Sequence, residues 1–124
     1  MSERGNVEFL SDALEAIKRI NDYISGMDYK AFLEDLKTRD AVLRNLEVIG
    51  ESSKNIKDDF RELYPNVPWK EMSGLRDKLI HHYFGVNFEI VWTIIHDELP
   101  GVKKNINTIL NEISSEEEDN QETQ

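Results

Sequence analysis

Apolar residues recur every three or four positions along most of the chain. The first stripe of this kind consists of Phe9, Ala13, Ile17, Ile20 and Ile24. Steps of three and four place side chains on one face of an α-helix, whereas a half-buried strand alternates at every second residue. Because no alternating segment competes with the helical spacing, the pattern predicts an all-α fold.

Turn-forming and capping residues divide the first half of this pattern into helices. Gly26 is expected to end the first helix, and Asp28 is expected to cap a short second helix. Phe32, Leu33 and Leu36 are predicted to face inward there. Thr38 or Asp40 is predicted to cap a longer third helix, whose inward stripe is Val42, Leu46, Ile49, Ser53, Ile56 and Phe60.

Prolines and glycines divide the second half in the same way. Pro68 suits the first position of a fourth helix over residues 69–84, which Gly85 would end. Asn87 is predicted to cap a fifth helix, and Pro100 is predicted to separate it from a last helix. With short connections, this order predicts an antiparallel bundle of about five or six helices.

Composition adds one domain and an acidic tail to this picture. A chain of 124 residues fits a single domain, here predicted over residues 1–113. Residues 114–124 hold five acids and no base, so we expect a flexible tail. The chain has no cysteine and no apolar run approaching the roughly 20 residues of a membrane span, and its polar start leads us to expect no signal peptide.

The net charge of −10 bears on nucleic-acid partners. Tight non-specific binding along DNA or RNA requires many lysine and arginine contacts with phosphate, so the acidic composition argues against it. A small basic cleft that holds one phosphate remains compatible with the same charge. We therefore expect no DNA partner and no membrane partner.

The candidate chemistry lies in residues 74–85. Arg76 supplies a permanent cation with a forked geometry that suits phosphate, and His81 supplies an acid/base group near neutral pH. Tyr83 adds a phenol, and Asp77 could orient either Arg76 or His81. Arginine and histidine together suffice for phosphodiester cleavage without a metal or another cofactor.

Helical geometry leaves two ways to assemble this site. At about 100° per residue, Arg76 and Tyr83 share a face, but Arg76 and His81 lie about 140° apart. Either an irregular helix end brings the two together, or two chains pair through this helix and pool their residues. We favour the second arrangement, which predicts a homodimer.

An ordinary structural explanation stands beside the chemical one. Asp77 and its neighbours could form a solvated helix face, while His81 and His82 could complement the negative end of a helix dipole. The adjacent histidines point in different directions, and His96 has no ligand four residues later, so we predict no metal site. Spacing alone favours the structural explanation.

The chain resembles HepT-type toxins of the HEPN superfamily. Arg76, His81 and Tyr83 match the Arg-x4-His-x-Tyr motif of that family. Similar flanking stretches lie at residues 32–35, 40–42, 49–51, 68–69, 91–92 and 97–100, so the resemblance extends over residues 9–113. It implies a HEPN-like helical fold that dimerises with the motif facing a cleft between protomers.

The resemblance also implies a function and a partner. Such proteins are metal-independent RNases that act as toxins, with Arg76 and His81 here as the catalytic residues. Their antitoxin is a small MNT-type nucleotidyltransferase, which transfers AMP to the motif tyrosine, here Tyr83. The resemblance, with the absence of cysteine and a signal sequence, predicts a prokaryotic cytoplasmic protein. Two alternatives are a non-catalytic subunit that binds a nucleotide or substrate for the transferase, and a purely structural dimerisation bundle.

Overall fold

The computed structural model describes the backbone of residues 2–80 and 85–122, and their side chains except those of residues 2–4, 76, 80 and 118–122. The α-helices in this part of the chain are α1 (Ser2–Ile24), α2 (Tyr29–Glu34), α3 (Leu36–Lys54), α4 (Asp58–Leu63), α5 (Trp69–Ser73), α6 (Leu75–Ile80), α7 (Phe88–Thr93) and α8 (Leu99–Glu122). A π-helical turn at Ile94–Glu98 joins α7 to α8. These residues include no strand, so the predicted all-α fold is confirmed.

The long helices α1 and α3 form the main packing pair of the fold. The side-chain oxygen of Asn6, near the start of α1, accepts a hydrogen bond of 3.1 Å from the backbone of Lys57, just beyond α3. The start of one helix therefore lies beside the end of the other, and the pair is antiparallel. Both helices bury most of the stripes predicted for them, with Phe9 only partly buried, and Ile17, Leu46 and Ile49 are completely inaccessible to solvent.

Two of the predicted capping residues are confirmed. Asp28 accepts a hydrogen bond of 2.8 Å from the backbone of Ala31 at the start of α2. Asn87 accepts hydrogen bonds from the backbones of Glu89 and Ile90 at the start of α7. Each side chain satisfies backbone donors that have no partner within the helix, which is why the chain turns into a helix at these points.

The predicted start of α3 is wrong. Asp35, rather than Thr38 or Asp40, caps the helix, and its carboxylate accepts a hydrogen bond of 3.1 Å from the backbone of Thr38. This bond lowers the pKa of the Asp35 carboxyl from its ordinary value of 3.8. Since α3 follows after one residue, Leu36 begins the new helix and turns to solvent with 66% of its surface exposed, against the prediction.

The end of α3 also differs from the prediction. The helix stops at Lys54, and Phe60 lies on the separate helix α4. Asn55 closes the last turn, with its backbone N–H donating to Ser52 and Ser53. The next free backbone donor, at Lys57, binds Asn6 on α1. The hydrogen bond to Asn6, a residue distant in sequence, thus replaces a bond that would continue the helix.

Over residues 69–80 the predicted fourth helix is divided into two short helices, and its predicted last part, residues 81–84, lies outside the described residues. Gly74 separates α5 from α6, although its N–H still donates to the Lys70 carbonyl and its carbonyl accepts from Lys78. Pro68 occupies the capping position before α5 rather than its first turn. Trp69, Met72, Leu75 and Leu79 are buried, so the helical spacing of inward apolar residues continues across the interruption.

The break predicted at Pro100 does not occur. The helical path continues from α7 through the π-turn into α8, and the backbone N–H of Leu99 bonds to the carbonyl of Ile94, five residues earlier. Proline lacks an N–H and crowds the preceding turn, and widening to π-geometry removes this conflict without ending the helix. The helices predicted as fifth and sixth are therefore continuous.

Helix α8 also continues into the acidic segment and ends at Glu122. The division into a domain over residues 1–113 and a flexible tail stays a prediction. Among the described residues, no helix is long and apolar enough to cross a membrane.

Candidate active site

The fold places the first half of the motif on α6. Arg76 and Asp77 belong to its first turns, although the Arg76 side chain is outside what the structure describes. His81 and Tyr83 also lie outside the described residues. The roles predicted for Arg76, His81 and Tyr83 therefore rest on the sequence, whereas the surroundings of the helix that leads to them can be described.

Helix α6 has a core face with a flank on each side. Leu75 and Leu79 are buried and define the core direction. At about 100° per residue, the Arg76 position lies on one side of this direction and Lys78 on the other. The positions of Arg76 and Lys78 therefore lie on different flanks of one helix.

Asp77 faces solvent and pairs with α3. Its carboxylate lies 3.8 Å from the ammonium group of Lys54, with side-chain exposures of 61% and 41%. An ion pair this exposed contributes little to stability, typically below about 1 kcal/mol. The contact shows that the Asp77 side chain is directed towards Lys54 on α3. Its role in orienting Arg76 or His81 stays a prediction.

Arg61 is a positioning residue that the sequence reasoning missed. Its guanidinium, on α4, donates to the backbone carbonyls of Ser53 and Ile56 near the end of α3. It also donates to the Ser73 hydroxyl at the end of α5, at 3.1 Å. These three bonds hold α3, α4 and α5 together immediately before the motif helix. No sequence spacing signals this role, because the acceptors lie 5, 8 and 12 residues away.

The loop before α5 is held by Trp69. Its indole N–H donates to the carbonyl of Tyr64 at 2.9 Å, and the ring itself is buried. Burial raises the pKa of the Tyr64 phenol, and the nearby charges of Glu112 and Glu116 raise it further. The Tyr64 phenol therefore remains protonated at neutral pH.

A cavity of about 550 Å³ opens on the Lys78 flank of α6, between α5–α6 and the helix that runs through the π-turn into α8. It lies on the opposite flank from the Arg76 position. The cavity is thus a neighbour of the predicted catalytic surface and not the same surface. Among the described residues, no group of three or more histidine, cysteine, aspartate or glutamate side chains could hold a metal ion.

Comparison of the sequence with known proteins identifies its family. The sequence profile of a family described as HepT-like ribonucleases matches residues 13–109, which include α6 and most of the helical core. The chain belongs to the HepT-like ribonuclease family. No solved structure matches it significantly.

Relatives of this HepT-like chain cover nearly its whole length. A candidate RNase of Methanocaldococcus jannaschii is 52% identical over 110 residues, which are 89% of this chain and 91% of that one. A second candidate RNase of that organism is 44% identical and covers 88% of this chain and 100% of its own. A probable ribonuclease HepT of Thermococcus cleftensis is 45% identical and covers 82% of this chain and 92% of its own.

Proposed function

We propose that this HepT-like chain is a metal-independent endoribonuclease that acts as the toxin of a toxin–antitoxin pair. The observation that carries the proposal is the complete Arg76, His81 and Tyr83 motif inside a family match over residues 13–109. The names of the relatives, RNase and ribonuclease HepT, support the same activity. The hydrogen bonds by which Arg61 joins α4 to α5 support it further, because an arginine that binds the reacting phosphate needs a helix held in a fixed position.

In the proposed reaction, RNA supplies its own nucleophile. The 2′-hydroxyl oxygen attacks the adjacent phosphorus, and a histidine such as His81 takes the hydroxyl proton. The bond from phosphorus to the 5′-oxygen breaks, and that oxygen receives a proton from a second histidine or water. Arg76 binds the phosphate and stabilises the additional negative charge of the transition state. The products are a 2′,3′-cyclic phosphate and a free 5′-hydroxyl.

We propose further that two chains form the active cleft. Along a regular helix Arg76 and His81 would point about 140° apart, so one copy would present them to different surfaces. Pairing of two copies through this segment would allow an arginine and a histidine to meet on one phosphate, and would place a histidine on each side of it. This arrangement accounts for separate acid and base roles with a single motif histidine.

The proposed antitoxin is an MNT-type nucleotidyltransferase that transfers AMP to Tyr83. Tyr83 follows Arg76 by seven residues, a spacing that on a regular helix would be two turns and the same face. A phosphate attached to the tyrosine oxygen would bring a negative charge and hydrogen-bond acceptors to the arginine. The modified residue would then compete directly with the RNA phosphate, which gives a physical reason for silencing.

The activity can be tested with purified protein, total RNA and EDTA. Wild-type protein, shown by mass spectrometry to be unmodified, should cleave RNA, and His81→Ala should lose at least about a hundredfold in rate. His96→Ala is the matched control, because His96 is exposed and its Nδ1 bonds only to the backbone carbonyl of Trp92. Equal cleavage by the wild type and His81→Ala would exclude the motif as the active site, and no cleavage by the wild type would favour the substrate-binding alternative.

The silencing mechanism has a separate test. Tyr83→Phe should cleave RNA at close to the wild-type rate and should remain active after incubation with the transferase and ATP. Tyr64→Phe is the control, because Tyr64 is another tyrosine whose ring packs against Phe60, 5.1 Å between centroids. It should be silenced like the wild type. Silencing of Tyr83→Phe by AMP transfer would show that another residue is the target.

A further inference from the structure

The cavity on the Lys78 flank of α6 has an apolar floor of a size that suits a small ligand. Its volume is about 550 Å³, within the range of roughly 300–1,000 Å³ typical of ligand sites. The floor consists of the buried side chains of Met72, Leu75, Ile94, Leu99 and Val102. A flat aromatic ring gains from such a surface through burial and through contact with the methionine sulfur.

Gly101 lines the cavity and has open space beside it. A methyl group added at this position would meet no atom within 4 Å, so the space beside it is empty rather than filled by a neighbouring side chain. Glycine in a helix interior costs about 1 kcal/mol relative to alanine. The glycine is therefore not explained by close approach of another helix, and the space beside it is available to a ligand.

Three polar groups of the cavity have no partner within the part of the chain that the structure describes. The half-buried amide of Asn105 forms no side-chain hydrogen bond, and the ammonium groups of Lys70 and Lys78 form neither hydrogen bonds nor ion pairs. An amide without a protein partner beside an apolar floor can bind the edge of a ligand ring. Two free ammonium groups at the rim can bind an anion.

We propose that this cavity binds one unpaired nucleotide of the RNA substrate. The base lies on the apolar floor, Asn105 hydrogen-bonds the base edge, and Lys78 or Lys70 binds the phosphate of that nucleotide. Sequence-specific recognition of RNA mostly uses bases that are unstacked and inserted in this manner. The inference rests on the proposed ribonuclease function and adds to it a subsite that selects the base.

The charges of the rim favour a single nucleotide of a strand over a free triphosphate. Two carboxylates, Glu71 and Glu98, line the cavity beside the two lysines, so the lining is balanced in charge. A triphosphate carries several negative charges and would be repelled by the acids. A nucleotide within RNA carries one charge for a lysine, and its sugar hydroxyls are donors that a carboxylate can accept.

The position of the cavity fits a strand that also reaches the catalytic surface. Lys78 follows Arg76 by two residues, so their backbones are separated by only about 3 Å along the helix axis. The two residues nevertheless lie on opposite flanks of α6. A strand crossing the solvent side of this helix could place one phosphate at the Arg76 flank and the base of a nearby nucleotide in the cavity.

The site can be tested without cleavage, by titrating ¹⁵N-labelled protein with 3′-nucleoside monophosphates. We expect saturable shifts of the Asn105 side-chain amide and of the Gly74 and Gly101 backbone amides, with different affinities for the four bases. Inorganic phosphate and ribose 5-phosphate are the probes without a base and should leave the three signals unchanged. Unchanged signals with all four nucleotides, or equal shifts with phosphate alone, would overturn the proposal.

Variants separate the base edge from the phosphate. Asn105→Leu should weaken binding roughly tenfold for the preferred base and remove the preference among bases. Asn111→Leu, on an exposed part of the same helix, is the matched control and should bind like the wild type. Lys78→Gln should weaken binding of all four nucleotides to a similar extent, whereas Lys18→Gln, on exposed α1 surface, should not.

Filling the cavity tests the same site in the cleavage reaction. Gly101→Leu places a side chain in the open space and should flatten the base preference of RNA cleavage, whereas Gly101→Ala should preserve most of it. A Gly101→Leu protein that keeps the wild-type base preference, or that changes oligomeric state because the cavity is a contact between copies, would overturn the proposal. If wild-type protein binds nucleotides here but never cleaves RNA, the subsite stands and the ribonuclease function fails.

Discussion

The helix pair α1–α3 and the segment α5–α6 are stabilised in different ways. The first pair has 23 and 19 residues and buries continuous apolar stripes against each other. The second consists of helices of 5 and 6 residues, too short to be stable alone, and is held by Arg61 and by a few buried side chains. Arg76, the first residue of the proposed catalytic motif, lies on α6.

The fold and the candidate chemistry therefore depend on different features of the molecule. A long amphipathic helix tolerates many sequences on its outer face, because burial of the stripe supplies its stability. A short helix that carries a reacting side chain depends on bonds from other elements for its position. Mutations in α1 and α3 should therefore change mainly the free energy of unfolding, whereas mutations that displace α5 and α6 should change mainly the rate of RNA cleavage.

The largest effect on stability is expected in the core of the long pair. Ile49→Ala removes a side chain with 0% exposure and should lower the free energy of unfolding by about 2–5 kcal/mol. Denaturant titration followed by circular dichroism measures this change. Leu36→Ala, at a leucine of the same helix that faces solvent, should shift it by less than about 0.5 kcal/mol. Equal effects of both variants would contradict the assigned core.

A smaller effect on stability, but a clear effect on rate, is expected at Arg61. Arg61→Met removes three hydrogen bonds that join α3, α4 and α5, and should cost about 2 kcal/mol of stability. Because α5 leads into the motif helix, RNA cleavage by the folded variant should fall roughly tenfold or more. Arg44→Met is the control, since Arg44 is 73% exposed and pairs only with Glu47. A folded Arg61→Met protein with the wild-type rate would refute the positioning role.

The helix start after the motif should respond more weakly. Asn87→Ala removes the cap of α7 and should cost about 1 kcal/mol, with Asn87→Asp retaining most of the stability. Thermal unfolding at neutral pH provides the measurement. If alanine and aspartate at this position unfolded at the same temperature, the side-chain bonds to Glu89 and Ile90 would not support the helix.

The smallest effect is expected from the Asp35 cap as the pH falls. Its folded-state pKa is lowered, mainly by the hydrogen bond with Thr38, so ionised Asp35 stabilises the folded state at neutral pH. This stabilisation should disappear as the pH falls from about 4 through the lower folded-state value. Asp35→Asn should flatten that part of the stability profile, whereas an unchanged profile would show that Asp35 does not contribute.

The sequence was sufficient for the fold class and for much of the core. The stripes through Ile17, Leu46 and Leu79 are periodic, and periodicity is a local property of the chain. The capping residues Asp28 and Asn87 were also predictable, because a cap and its helix are adjacent in sequence. Leu36 was predicted wrongly because the direction of its side chain depends on where α3 begins. Only Asp35 separates α2 from α3, so a difference of one residue in that start changes the side to which Leu36 points.

The features that the sequence did not reveal depend on contacts distant in sequence. They are the hydrogen bond from Lys57 to Asn6 after α3, the hydrogen bonds of Arg61, and the cavity beside Lys78. Each of them involves elements that are far apart in the chain. The π-turn before Pro100 is local, but proline more often ends a helix than widens one, so the sequence favoured a break. The motif itself was recognisable only through its spacing and its resemblance to a family.

The most direct test of the account determines the ends that cleavage produces. Unmodified wild-type protein is incubated in EDTA with an end-labelled RNA, and with the same RNA carrying a single 2′-deoxynucleotide at the cleaved position. The account predicts a 2′,3′-cyclic phosphate and a 5′-hydroxyl from the RNA, with no cleavage at the deoxy position. Products with a 5′-phosphate, or cleavage of the deoxy substrate at the same site, would contradict attack by the 2′-hydroxyl and the roles proposed for Arg76 and His81.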